Sequence, residues 1–344
     1  MNSKSISERT CLLLILFFGI AAYANTFNVP FYFDDQKRIV ENLSLCPPIN
    51  LERIWGSFPT RFIANMSFAL QYALTGLAPW GFHFTNLLIH LLASLTIFGI
   101  VRSLLRTPAL KDTPSGPPTD LFALATALLF VAHPIQTQAV TYIVQRMTSL
   151  ATFFYLATLG FYLKARLGEA RHFGLVFLFM LLAMFTKEIS ITLPFAILLI
   201  DVCFFPFSST ETISTKLRRW IPFAACLLVI PLAFTTSREP LTFYLPTLNE
   251  GTYRWDYLLT QFRVIRTYLG LLFFPVNQCL DYGYRLSSGW GDPDTWSAFF
   301  LLLGIFASAI ALFKKYRLLS FGILFFFLTL SAESSFFPAK DVIF

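Results

Sequence analysis

Apolar residues fall in blocks along this chain, and short polar connections separate them. The blocks lie at roughly 10–25, 83–103, 121–133, 147–163, 172–186, 189–206, 220–235, 295–313 and 318–332. A helix needs about 20 apolar residues to cross the hydrocarbon of a bilayer. The pattern therefore predicts an all-α polytopic membrane protein with about nine transmembrane helices. Two further apolar segments, RFIANMSFALQYALTGL (61–77) and FRVIRTYLGLLFFPV (262–276), would break the alternation of sides if they crossed. They are expected to lie on the outer surface as juxtamembrane or re-entrant helices. The segment DTPSGPPTD (112–120) is rich in Pro and Gly and reads as a linker. The sequence shows no internal repeat and no heptad pattern.

Charge sets the orientation. The connections VRSLLRTPALK (101–111), KARLGEAR (164–171), STKLRRW (214–220) and KKYR (314–317), with Lys4 and Arg9, hold 14 of the 26 Lys and Arg. Six acidic residues share that side, which carries +8, while the other side carries −1; together they make the net +7. Lys and Arg collect on the cytoplasmic face of membrane proteins. The N-terminus is thus expected inside and the C-terminal end of the sequence outside. Residues 1–344 are expected to form one membrane domain, with a first external loop over 26–82, a cytoplasmic linker over 104–120 and a second external loop over 236–294. Lys4 and Arg9, the first apolar block and Ala22-Tyr23-Ala24 also fit a cleavable signal peptide. Under either reading Asp34 and Asp35 lie outside.

Composition agrees. The chain is 56% hydrophobic and 13% charged, with 41 Phe, against about 25% charged residues in soluble domains. A soluble core this apolar would expose large aggregating patches. The positive charge does not call for nucleic acid, because membrane topology accounts for it. The five cysteines have no metal-ligand spacing, so a zinc site is not supported. Only Cys46 and Cys279 fall in external polar segments, where a disulfide is permitted.

The candidate chemistry gathers on the outer face. Asp34 and Asp35 sit in PFYFDDQKRIVEN (30–42), about ten residues past the first apolar block. Arg61 and Asn65 share a face of the external segment at i, i+4. His83, Asn86 and His90 fall at i, i+3 and i+7 on one face of the second block. A polar stripe inside a membrane faces either a cavity or hydrogen-bonding neighbours. His133, Gln136, Gln145 and Arg146 crowd the next external turn, with Tyr142 among them. Lys187 and Glu188 follow in TKEISITLP (186–194). Asp281 lies in NQCLDYGY (277–284), and Glu333 and Lys340 come near the end of the sequence. Carboxylates beside cations suit an anionic, lipid-borne substrate: cations hold a phosphate and a carboxylate takes a proton. Glycosidases need a second, acidic carboxyl to protonate the leaving alkoxide. A phosphate leaving group needs none, so one carboxylate base and positive charge fit glycosyl transfer from a lipid phosphate better than hydrolysis. No phosphate-binding glycine loop, GxSxG or HExxH is present.

The ordered motifs FDDQKRIVEN, RFIANMSFALQYALTG…GFHFTNLLIHLL, HPIQTQAVTYIVQRMTSL, TKEISITLP, NQCLDYGY and ESSFFPAKDVIF resemble the membrane domain of the transmembrane-and-TPR O-mannosyltransferases, especially their bacterial relatives. These belong to the GT-C superfamily of polyprenyl-phosphate-sugar-dependent glycosyltransferases. The resemblance implies a GT-C-like helical bundle with external juxtamembrane helices. It implies an inverting enzyme that transfers a hexose such as mannose from a polyprenyl-phosphate donor to a protein or glycan hydroxyl. It also implies a catalytic Asp in the first external loop, here Asp34 or Asp35, and a first helix kept as an anchor. The site would face the periplasm in a bacterial inner membrane, or the lumen of the endoplasmic reticulum in a eukaryote. No cofactor is required by this scheme, although a divalent cation, Mg or Mn, can be held through carboxylate oxygen. Phe62 stands where a Pro commonly follows the motif Arg. The family's pattern continues past DVIF into further helices and TPR repeats that the sequence does not contain. Competing readings are an inactive membrane scaffold derived from this fold and a lipid-linked-glycan flippase or polymerase.

Overall fold

The computed structural model describes residues 6–111, 119–206, 213–236 and 251–334. Among them the chain is helical and contains no strand. Most of the 112–120 linker, part of the second external loop, and Lys340 lie outside the described residues.

Each apolar block becomes a helix. In chain order these are α1 (Glu8–Ala22), α2 (Leu51–Ser57), α3 (Phe62–Thr75), α4 (Pro79–Leu104), α5 (Thr119–Ala132), α6 (Thr137–Thr141), α7 (Arg146–Arg166), α8 (Phe173–Met184) and α9 (Leu193–Phe204). They continue as α10 (Ile213–Ala225), α11 (Val229–Thr235), α12 (Gly251–Phe273), α13 (Pro293–Ala311) and α14 (Arg317–Leu330). The expected external segment 61–77 is α3. The expected 262–276 segment starts earlier than its apolar run suggests, as α12.

Four helical stretches among the described residues are long and apolar enough to cross a membrane: Glu8–Asn28, Pro79–Leu104, Leu217–Thr235 and Pro293–Ala311. A fifth is formed if α5 and the following Pro134–Thr141 segment, bent by 48°, count as one span. The protein is thus an all-α polytopic membrane protein, and the expected count of nine spans is not confirmed. For two of the expected spans the reason is length. At 1.5 Å per residue the 12 residues each of α8 and α9 reach about 18 Å, short of a hydrocarbon core of about 30 Å.

By contacts the chain divides into two compact units, Met1–Ile197 with Phe204–Arg238, and Leu198–Cys203 with Glu239–Phe344. In the first, α4 is the hub and packs against α1, α5 and α7, while α7 also packs on α8. Cys11, Ile15, Phe98, Val101, Ala123, Leu124 and Ala127 form a buried cluster where α1, α4 and α5 meet. Small residues let these helices close up. A Cβ on Gly19 would run into Leu91 Cδ2 and Val131 Cγ2, so a larger residue there would force these side chains of α4 and α5 to shift. At the other end Arg102 lies 2.8 Å from both Glu8 and Asp120, pinning the same three helices on the expected cytoplasmic side. In the second unit α13 packs on α12 and α14.

The junction between α3 and α4, which matters for the site, is short. Gly76 ends α3 with φ +59°, a conformation that glycine adopts without strain. Pro79 then opens α4 at its first turn, where its missing N–H is not needed. Helix α3 is thereby folded back against the outer end of α4. All five cysteines are free thiols, with Cys46 in the first unit and Cys279 in the second.

Candidate active site on the outer layer

The chain leaves α1 and is fixed almost at once to the outer end of α4. His83 is buried, and its Nε2–H donates to Val29 O at 2.8 Å. Thr26 donates to Thr141 at 3.0 Å. Phe33 then adopts φ +53°, which is uncommon for a side chain of this size. This left-handed step reverses the direction between Tyr32 and Asp34. A wide turn over Gln36–Val40 follows, closed by Glu41 N–H to Gln36 O at 2.8 Å.

The two aspartates have opposite environments. Asp35 is fully buried. Its Oδ1 accepts from Val144 N–H at 2.7 Å and its Oδ2 from Tyr32 N–H at 3.3 Å. Burial pushes its pKa up to about 6, against the pull of these backbone donors. Asp34 is exposed. Its backbone N–H donates to the Tyr142 hydroxyl at 2.9 Å, and the Tyr142 ring stacks on Tyr32 at 4.9 Å. One carboxylate fastens the loop and the other stands at its surface.

The pKa shift carries a stability prediction. Asp35 has a folded pKa above its ordinary value of 3.8. Its contribution to folding is therefore fully present below about pH 3.8 and is lost as pH rises through about 6. Thermal midpoints of the unmodified protein at pH 5 and pH 8 should differ in favour of pH 5 by more than those of Asp35→Asn. Equal differences in the two proteins would show that Asp35 does not titrate in this range.

Beneath the loop lies a second buried knot. Arg146 is fully buried. It donates to Asn86 Oδ1 at 2.7 Å, Phe82 O at 2.9 Å and Ser67 O at 3.3 Å. The rings of Phe68 and Phe82 flank its guanidinium at 4.6 and 5.3 Å. Asn86 Nδ2 donates to Val140 O and Ile143 O, each at 3.3 Å. His90 donates from Nε2 to Val131 O at 3.0 Å and lies between the rings of Tyr23 and Phe130. The stripe His83, Asn86, His90 is therefore one face of α4, as its spacing indicates, and it meets backbone carbonyls of neighbouring segments.

A small cleft opens beside this layer, lined by Arg38, Asn42, Ser57, Phe58, Arg61, Asn65 and Met147. Arg61 grips Glu188 with Nε at 3.2 Å from Oε1 and Nη2 at 3.3 Å from Oε2. Thr60 donates to the same carboxylate at 2.5 Å, and the Phe58 ring lies 4.5 Å from the guanidinium. Burial opposes ionisation of Glu188, but Arg61 and Thr60 outweigh it and hold its pKa below the usual value. Helix α3 is joined to the Lys187–Glu188 hairpin by Ile63 N–H to Phe185 O at 2.9 Å. Lys187 donates to Thr148 at 3.1 Å, and Thr148 donates to Gln145 at 2.7 Å. His133 Nδ1 accepts from Ile135 N–H at 3.2 Å at the head of the turn that contains Gln136. Asp281 belongs to the second unit, where its Oδ1 accepts from Gly283 N–H at 2.9 Å. Among the described residues no three His, Cys, Asp or Glu side chains gather as a metal-ligand set.

The structure thus brings the Asp34–Asp35 loop, Arg61, Asn65, His83, Asn86, Gln145, Arg146, Lys187 and Glu188 into one outer layer of the first unit. Sequence reasoning did not find Arg38 and Asn42 as cleft residues, Tyr142 as the partner of Asp34, or the left-handed Phe33. The aromatic signal at Tyr142 was visible, but its partner lies 108 residues earlier.

No family model matches the chain, and no solved structure matches it. Curated proteins do. The chain is 33% identical to human protein O-mannosyl-transferase TMTC2 over 159 residues, 42% of this chain and 18% of that protein. It is 31% identical to fruit-fly Tmtc1 over 202 residues, 53% of this chain and 21% of the relative. Mouse TMTC3 matches at 30% identity over 166 residues, 44% of this chain and 17% of the relative. Each match spans about a fifth of the curated relative's length. The chain is a relative of the TMTC family of protein O-mannosyl-transferases, sharing with them a part of their length.

Proposed function

We propose that this chain is the membrane-embedded part of a GT-C-type glycosyltransferase. It transfers a hexose, mannose by analogy with the names of its relatives, from a polyprenyl-phosphate donor to a hydroxyl of a protein or glycan on the external face. The observation that carries the proposal is the cleft lined by Arg38, from the loop of the carboxylate pair, and by Arg61, which Glu188 holds in place. Arg38 follows Asp34 by four residues, and Arg38 and Arg61 both line the cleft. Guanidiniums bind phosphate strongly through charge-assisted hydrogen bonds. In this reading they hold the donor phosphate and offset the charge that grows on it.

Asp34 takes the acceptor hydroxyl's proton. The freed oxygen attacks the anomeric carbon from the side opposite the phosphate, the bond from that carbon to the phosphate oxygen breaks, and polyprenyl phosphate leaves with its electron pair. The anomeric configuration inverts. Asp35, with both oxygens engaged by backbone N–H groups, holds the loop in place.

The test is transfer of radiolabelled mannose from polyprenyl-phosphate mannose to a Ser/Thr-rich protein acceptor by the purified chain in lipid vesicles. Labelled acceptor is expected, with none from a sugar nucleotide alone. Repetition with chelator, then with Mg or Mn restored, decides whether a divalent cation takes part. Donor consumed without labelled acceptor, or donor moved across the vesicle membrane intact, would replace the transferase reading.

The same reading fixes an orientation. In intact cells, with native Cys46 and Cys279 replaced by Ser, a membrane-impermeant thiol reagent should label a cysteine introduced at exposed Gln278 and spare one at exposed Lys111. The reverse pattern would place the cleft on the wrong side for an externally presented lipid donor.

A further inference from the structure

Phe33 is doubly unfavourable in the isolated protein. Its backbone sits at φ +53°, in the left-handed region that non-glycine residues avoid because Cβ crowds the following carbonyl. The residue is 62% exposed on the protein surface, so little burial within the protein offsets that strain. Glycine or asparagine adopts this turn more easily, and neither would place a large ring at the surface. Strained backbone of this kind clusters at ligand contacts, where the surroundings enforce it. The surroundings here are specific. The residue after Phe33 is Asp34, whose N–H is held by the Tyr142 hydroxyl at 2.9 Å. The Phe33 ring faces that of Tyr142 with centroids 6.5 Å apart. Phe33 is not among the residues that line the cleft, whereas Arg38, five residues further on, is.

We propose that Phe33 is the platform for the acceptor: its ring packs against an apolar side chain of the acceptor polypeptide next to the hydroxyl that Asp34 deprotonates. This rests on the transferase reading above. The left-handed turn makes Phe33 and Asp34 a presented pair, with one residue gripping the acceptor and the next taking its proton. An aromatic ring does this with little loss of side-chain freedom, since only two torsions must be fixed.

The test compares Phe33→Asn, Phe33→Trp and Asp34→Asn with the unmodified protein. Phe33→Asn should keep or raise the thermal midpoint, because Asn tolerates the left-handed conformation. The same variant should lose about tenfold in acceptor kcat/KM, the factor corresponding to one good aromatic contact, with donor KM unchanged. Phe33→Trp should restore most of the loss. Binding of a fluorescent Ser/Thr peptide carrying an apolar neighbour, measured on Asp34→Asn without donor, should weaken about tenfold when Phe33→Asn is added. Unchanged peptide affinity, or no binding to the unmodified chain, would overturn the proposal whether or not transfer is observed. A fall in thermal midpoint in step with activity would make Phe33 a fold contact. Quenching of Phe33→Trp fluorescence by brominated lipid would assign the ring to the membrane surface instead. Full transfer by Asp34→Asn would remove Asp34 as the base, absence of transfer by the unmodified chain would remove the transferase reading, and the peptide-binding arm would still decide Phe33.

Discussion

Replacing Asp34 by Asn is expected to lower the transfer rate by about 10²–10⁴-fold, the usual loss of a general base, with donor binding largely kept. The carboxylate is exposed, and its backbone N–H is fixed to Tyr142. Asn keeps the shape and removes only the capacity to take a proton. Asp35→Asn should behave differently. Asp35 accepts Val144 N–H on one oxygen and Tyr32 N–H on the other, and an amide can accept on only one side. The other N–H then faces an NH₂ group, so the loop loosens and stability falls together with rate. Measuring kcat, donor affinity and thermal midpoint for both variants separates the roles. If Asp34→Asn transfers at the unmodified rate while Asp35→Asn is inactive yet fully stable, the assignments are exchanged. The raised pKa of Asp35, about 6, would then belong to the base.

The second large effect concerns Arg146→Ala, which should destabilise the first unit by about 3–5 kcal/mol, the range for breaking a buried polar network and leaving a cavity. Three acceptors, Asn86 Oδ1, Phe82 O and Ser67 O, lose their donor at once. The space between Phe68 and Phe82 empties as well. Arg146→Lys should recover little, because an ammonium point charge cannot serve three acceptors arranged around a planar fork. Unfolding in mixed detergent micelles gives the measurement. An Arg146→Ala protein with unmodified stability and lost donor binding would assign this guanidinium to the lipid phosphate, the role its position in the sequence suggests.

The positions of the helices could be read from the chain because lipid-spanning segments carry their signal in composition alone. The runs at 83–103 and 295–313 recur as α4 and α13 with ends shifted by a few residues. The number that cross could not be read so well, since an apolar run does not say where its helix stops. The stripe of His83, Asn86 and His90 was legible as one face of a helix. Its partners were not: they are the carbonyls of Val29, Val140, Ile143 and Val131, and a carbonyl leaves no trace in a side-chain pattern. Asp34 and Asp35 could be picked out as a pair but not told apart. What distinguishes them is one N–H at Val144 and the left-handed turn at Phe33, both products of tertiary structure.

The distance along the chain between the loop and what holds it bears on how the protein is made. Asp34 and Asp35 are fastened to Tyr142 and Val144, 108 and 109 residues further on. At a synthesis rate of about 5–20 residues per second, the carboxylates wait roughly 5–20 s before their anchors have even been polymerised. During that interval the loop lacks both of these hydrogen bonds. The newborn chain thus carries the two carboxylates first and their arrangement later. Arrival of the α5–α7 segment, more than translation of the aspartates themselves, is the moment at which Asp34 and Asp35 can come to differ.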